Sequence, residues 1–240
     1  MVKELEFINK QFKEDDLFLI IGSFTSPRGV ERYYYCSKTN IFWHLLSLSL
    51  KDGKCEEYFK RINESDVCVE DFRKKFISFQ DKHHFRIMDL LLDASYKNNC
   101  ASALDKDIDW NNSSWNENLF SLLKQRHHIK YIFTTSLKVK EKLISGLKKR
   151  KQFDILEKFN IKIISLPSPS PAANDFKDRD KERETILEYK ERKWKEAFRV
   201  VVNKKQICWQ NKNHPLHNWS NHKECGERQA PWPTSNLLLY

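Results

Sequence analysis

The chain contains no glycine-rich phosphate loop, no His-Glu-x-x-His pair and no Gly-x-Ser-x-Gly elbow. P-loop nucleotide hydrolysis, zincin-type proteolysis and hydrolase-elbow acyl transfer therefore lose their sequence basis. No Cys-x-x-Cys pair occurs, so the commonest zinc-ribbon spacing is missing too. No apolar run approaches the length of a bilayer span, and the longest are strand-sized. The opening stretch, MVKELEFINKQFKEDD, is charged and shows no signal-peptide core, so an intracellular, cytoplasmic protein is expected. Cys36, Cys55, Cys68, Cys100, Cys208 and Cys225 are scattered, which in that compartment predicts reduced thiols. No solenoid-type repeat is evident.

What is present suffices for a core: 240 residues, 40% hydrophobic and 13% aromatic, enough for one good-sized domain with an appendage. A net charge of +10 points to a polyanionic partner, nucleic acid first and an anionic membrane surface second. Charge alone fits simple solubility equally.

Short apolar runs alternate with amphipathic stretches. LFLIIGSF (17–24), FRIMDLLL (85–92), IKYIFTTS (129–136) and IKIIS (161–165) read as strands. NIFWHLLSLSL, the stretch between Glu56 and Phe79, WNENLFSLLKQR, LKVKEKLISGLKKRK and a long helix from about Asp180 to Val202 read as helices. This order predicts an α/β fold, a three-layer αβα sandwich around a parallel four-stranded sheet. Its sites should form at the carboxyl ends of the strands, at Gly22-Ser23, Asp89, Thr134-Thr135 and Leu166 to Pro171. Phe42, Trp43 and the stripe Phe72, Phe76 and Phe79 are assigned to the core. Residues 1–202 are expected to form this domain. Residues 203–240, rich in His, Trp, Asn and Pro and without periodicity, are expected to form an extension.

YYYCSKTNIFWHLL (33–46) gathers aromatic surface around one amide, Asn40. A core strand, a peptide-binding face and a pocket for a planar ring all fit. Asn40 also suits the N-cap of the helix that follows. Asp89 either faces a ligand or caps LLLDASYK as a helix. LPSPSPAAN (166–174) is a stiffened loop whose Ser168 and Ser170 could offer donors to phosphates, or an ordinary turn. The basic run LKKRK (147–151) either complements a helix dipole or touches phosphate. Cys208, His214, His217, His222 and Cys225 have spacings a zinc ion could use, although an irregular DNA-contacting segment fits the same residues. No metal and no organic cofactor is expected.

LIIGSF, YYYCSKTNIFW and LPSPSPAAN, in that order, resemble the motifs of the uracil-DNA glycosylase superfamily, nearest its deoxyinosine/hypoxanthine branch. Asp89 and SALDKDI (102–108) match the segment between, and the resemblance spans roughly residues 15 to 200. It implies a uracil-DNA glycosylase-like fold acting on DNA as a monomer. It also implies that Asn40 positions water, that Gly22, Ser23, Phe24, Tyr34, Tyr35 and Asp89 form a base pocket, and that Leu166, Pro167, Ser168, Pro169, Ser170, Pro171 and Asn174 form a DNA-binding loop. Three departures stand out. GSFTSPRG replaces a short Pro-Gly turn, and Ser37, Lys38 and Thr39 replace a His-Pro-basic run. Leu166 stands where uracil-specific relatives have a histidine, which argues against a strictly uracil-specific enzyme.

The chemistry explains the grouping. Breaking an N-glycosidic bond puts positive charge on the sugar and negative charge on the base. The base must first leave the stack. A pocket then needs an aromatic wall, donors at the leaving base, and a group that aligns water. The expected activity is monofunctional base excision of a deaminated base such as hypoxanthine or uracil. One alternative is excision of hydroxymethylated or glucosylated cytosine from phage DNA as antiviral defence. Others are a catalytically silent nucleic-acid reader and a basic membrane-surface protein.

Overall fold

The computed structural model describes residues 13–24, 40–53, 69–97, 105–125, 128–174 and 176–212, without the side chains of 69–73 and 203–212. Its described elements in chain order are β1 (Phe18–Gly22), α1 (Phe42–Leu50), α2 (Val69–His83), β2 (Phe85–Asp89), β3 (Leu91–Asp93), β4 (Ser114–Trp115), α3 (Glu117–Gln125), β5 (Tyr131–Thr134), α4 (Leu137–Lys149), α5 (Ile155–Lys158), β6 (Lys162–Ser165) and α6 (Ile186–Lys212). The chain up to Val200 forms one compact unit.

Four strands form a sheet in the order β2-β1-β5-β6, and every neighbouring pair is parallel. Parallel neighbours need crossovers, and the helices that make them bury both faces of the sheet. Alternate residues divide accordingly. Leu19, Ile21, Met88 and Ile132 pack with Leu119, Phe120 and Leu123 of α3 and Val139, Leu143 and Leu147 of α4. On the other face Phe18 stacks on Phe85 at 5.1 Å, and Phe133 stacks on Phe198 of α6 at 4.2 Å. Phe79 of α2 meets Phe85 edge-on, and Trp43 of α1 meets Phe76. The result is the three-layer αβα arrangement with a four-stranded parallel sheet. Phe42, Trp43, Phe76 and Phe79 are core residues as expected, while the side chain of Phe72 lies outside the described residues.

The structure corrects four sequence readings. FRIMDLLL is not one strand: the chain bends at Leu90, and Leu91–Asp93 leaves the parallel sheet to pair antiparallel with Ser114–Trp115. That pairing also removes the helix that Asp89 would have capped. The long C-terminal helix begins later than expected, at Ile186, because Thr185 and Glu188 form a capping box. The Thr185 N–H donates to Glu188 Oε2 at 2.8 Å, and the Glu188 N–H donates to Thr185 Oγ1 at 3.2 Å. The same helix continues to Lys212, through residues read as aperiodic.

At the amino end of the strands lies a buried ion pair. Asp16 and Arg86, each 1% exposed, approach to 3.1 Å, and Arg86 also donates to Asp81 and to the Phe85 carbonyl. Burial pushes the Asp16 carboxyl up to about 6 against the opposing pull of the Lys13 N–H and Arg86.

The layer of α3 and α4 is tight enough to require glycine at one point. A Cβ on Gly146 of α4 would lie 2.8 Å from the rings of both Phe120 and Trp115. Gly146→Ala is therefore expected to destabilise by about 1–3 kcal/mol through overpacking, outweighing the ~1 kcal/mol that alanine gains in a helix. Urea unfolding checks this, and a stabilised variant would contradict it.

Candidate active site

The carboxyl ends of the four strands are held level by backbone bonds that run beyond the ladder. The Leu90 N–H donates to the Gly22 carbonyl at 2.9 Å and the Leu91 N–H to that of Ser23 at 3.0 Å. Thr135 donates to Ile21 and Leu166 to Thr134. Gly22, Asp89, Thr134 and Leu166 thus share one edge, where the sequence placed them. Ser23 is half-buried, and Phe24 packs against the α3–α4 side of the core. Asp89 is 2% exposed, and its main-chain carbonyl accepts from Asn116 Nδ2 at 2.9 Å. Tyr34 and Tyr35 lie outside the described residues, as do His214, His217, His222, Cys225 and the side chain of Cys208.

Asn40 sits half-buried just before α1. The N-cap of α1 is Ile41, not Asn40; from one residue ahead, Asn40 Oδ1 accepts from the Phe42 N–H at 2.9 Å, a capping-type bond that fixes the carboxamide relative to the helix and leaves acceptor capacity on the oxygen. Next to it, the Ile41 N–H donates to the Pro169 carbonyl at 3.4 Å. The asparagine turn and the proline-rich loop, almost 130 residues apart in sequence, therefore meet.

That loop is built in detail. Leu166 and Pro169 are buried, Pro167, Ser168 and Ser170 are half-buried, and Pro171 and Asn174 are exposed. Ser168 Oγ accepts from the Ser170 N–H, and Ser170 Oγ from the Ala172 N–H, each at 3.3 Å. Both hydroxyls thus shape the turn. Two donors one helical turn apart on α6 hold it from below. Trp194 Nε1 donates to the Pro167 carbonyl at 2.9 Å and Lys190 Nζ to the Ser170 carbonyl at 2.8 Å. The same stretch of α6 grips α1: the Trp194 ring meets Phe42 edge-on at 5.6 Å, and Glu191 lies 2.7 Å from His44 Nε2.

Neither Lys190 nor Trp194 was expected to anchor the loop, because a lysine and a tryptophan on an amphipathic helix read as rim and core. The i, i+4 pairing with the loop is visible only once the helix is docked. Asn116, 1% exposed, was missed as well. It spans Asp89 and Leu90 through its side chain and its backbone N–H. The LKKRK run lies at the carboxyl end of its helix, where its cations complement the helix dipole. It ends α4 at the amino side of the sheet, away from the site edge, and its Arg150 pairs with Glu117 and lies over the Phe120 ring at 3.9 Å.

No protein-family model matches the chain, and no curated protein matches it. One solved structure is similar to it. That structure, determined by NMR in solution, is of a candidate uracil DNA glycosylase from Methanosarcina acetivorans; it is 20% identical, with a TM-score of 0.48, over 79% of this chain and 93% of that one. Among the described residues no helix is long and apolar enough to cross a membrane.

Lys190 is 1% exposed, and burial pushes its ammonium down to about 8. Between about pH 8 and the ordinary lysine value the folded chain has released this proton while the unfolded chain still holds it. Stability therefore rises with pH across that window. Lys190→Met is expected to flatten the rise and to speed amide hydrogen exchange in the loop after Ser170. Urea unfolding at several alkaline pH values with exchange mass spectrometry checks both, and an unchanged slope would contradict the assignment.

Proposed function

We propose that the chain is a monofunctional DNA glycosylase that hydrolyses the bond between deoxyribose and an altered, extruded base, leaving an abasic site. The observation that carries this reading is the junction of Asn40 with the proline-rich loop, through the Ile41 N–H and the Pro169 carbonyl, at the carboxyl edge of the sheet. It joins a fixed amide acceptor to a stiff loop suited to pressing on a nucleic-acid backbone. The ordered motif resemblance supports it further.

In this reading the Asn40 Oδ1 lone pair not engaged by Phe42 orients a water toward C1′. The C1′–N bond breaks with its electron pair leaving on the base, the water oxygen bonds to C1′ and releases a proton to solvent, and the departing base anion takes up a proton from solvent. The transition state is already cation-like, so positioning suffices without a strong base. Backbone N–H groups beyond Gly22 would meet the charge developing on the base. Tyr34 and Tyr35 would wall the pocket. Asp89 would read an amidic edge, either accepting from an amine or, if protonated, donating to a carbonyl. A deaminated base, hypoxanthine or uracil, is the favoured substrate, in an intracellular repair role. A bulky modified cytosine of phage DNA is the rival substrate.

A silent reader of nucleic acid is the second reading, and the Asn40–Phe42 bond favours it, because capping alone would explain that residue. Two variants separate these readings. Serine caps a helix as well as asparagine does but is too short to reach the same water. Asn40→Ser should keep thermal stability and lower single-turnover excision by about 100-fold or more. Breaks after alkaline heating of duplexes carrying hypoxanthine, uracil or modified cytosine provide the readout, with Asn40→Ala alongside. Full activity in Asn40→Ser would reduce the residue to a cap, and tight binding without breaks on every duplex would leave the reader.

A further inference from the structure

On the opposite layer from Asn40, at the start of α4, the surface folds into a cleft of about 170 Å³. Four of its walls are lysines: Lys97 after β3, Lys106 in the short 3-10 turn, and Lys138 and Lys142 one turn apart on α4. Trp110, 6% exposed, lies against it, and Lys142 Nζ stands 5.5 Å from the centre of its indole. Two carboxylates also face the cleft, and both accept hydrogen bonds from neutral donors. Asp105 Oδ2 accepts from Ser136 Oγ at 2.6 Å. Asp109 accepts from the Asn112 side chain at 2.8 Å and from the Asn111 N–H, and these bonds, with a smaller pull from the Lys97 ammonium, hold its carboxyl below the usual range.

The lysines, by contrast, are little neutralised. Lys138 has only an exposed partner, Glu141 at 3.5 Å, and such pairs contribute little. Among the described residues no carboxylate comes within ion-pair distance of Lys97, Lys106 or Lys142; Lys97 instead donates to the Lys106 carbonyl. Four cations against two engaged anions leave a local excess of positive charge in a concave surface. The cleft is smaller than a small-molecule site of roughly 300 Å³ or more, so it suits one or two phosphodiester groups better than a whole nucleotide. It also opens where α4 leaves the carboxyl end of β5, the edge that carries the candidate site.

We propose that this cleft binds the DNA backbone beside the target nucleotide, with Lys97, Lys106, Lys138 and Lys142 contacting consecutive phosphates. The proposal rests on the glycosylase reading for its partner, but its test does not depend on excision. Fluorescence anisotropy of an unmodified duplex, titrated with salt, reports the number of phosphate contacts. Each paired change in the cleft, Lys97→Gln with Lys106→Gln or Lys138→Gln with Lys142→Gln, should reduce the slope of log K against log salt by about 0.9. Lys149→Gln with Lys151→Gln, at the far end of α4, alters the charge equally and should leave the slope in place. Equal losses from cleft and control variants, or no loss from the cleft, would overturn the proposal, as would a parent chain that binds no duplex. A slope that falls only with the cleft variants supports it even if no base is ever released, in which case the excision reading alone fails. Excision with an unaltered slope sinks the cleft and spares the chemistry.

Discussion

The indole of Trp194 is the contact on which the site's geometry depends. It is fully buried, donates to the Pro167 carbonyl, meets Phe42 edge-on and stacks toward Phe198, which stacks in turn on Phe133 in the sheet. One ring thus links the proline-rich loop, the helix that follows Asn40 and the aromatic face of the core. Lys190 adds a second anchor one turn away. A loop secured at two carbonyls, with its own serines closing the turn, can be stiff without regular secondary structure.

The two ends of the sheet use polar groups differently. At the amino edge, Asp16, Arg86 and Asp81 form a buried charged cluster that serves the packing of β1, β2 and α2. At the carboxyl edge the engaged groups are mostly main-chain carbonyls: Gly22, Ser23, Thr134, Pro167, Pro169 and Ser170 all accept. With so many acceptors satisfied internally, that edge can present donors and lysines to an anionic partner. This asymmetry follows from strand direction, since loops that leave the carboxyl ends of parallel strands gather over one rim.

Much of this was legible in the sequence. The four apolar runs gave β1, β2, β5 and β6 because a strand covered on both faces needs an unbroken apolar stretch, and α1, α3 and α4 followed from their spacing. The convergence of Gly22, Asp89 and residues 166–171 on one edge followed from topology, whereas Asn40 was singled out by the motif resemblance. The bend at Leu90 was hidden, because LLL carries the same apolar signal whether it continues a strand or turns toward Trp115. The start of α6 was present in TILE, a capping box masked by the charged residues before it. Lys190 and Trp194 could not be read as anchors, since their partners are carbonyls that any residue could have supplied. The lysine cleft likewise depends on Lys97, Lys106 and α4 meeting in space.

The central claim is that Asn40 and the proline-rich loop act as one unit held by α6, and a double-mutant cycle on single-turnover excision tests it most directly. Trp194→Phe keeps the ring and removes the N–H that holds Pro167, while Asn40→Ala removes the acceptor. The account predicts that Trp194→Phe slows excision by about 10-fold or more, because displacement of positioning groups is costly. It also predicts that the same change has little further effect once Asn40 is alanine. Undiminished excision in Trp194→Phe, or rate losses that multiply independently, would contradict it.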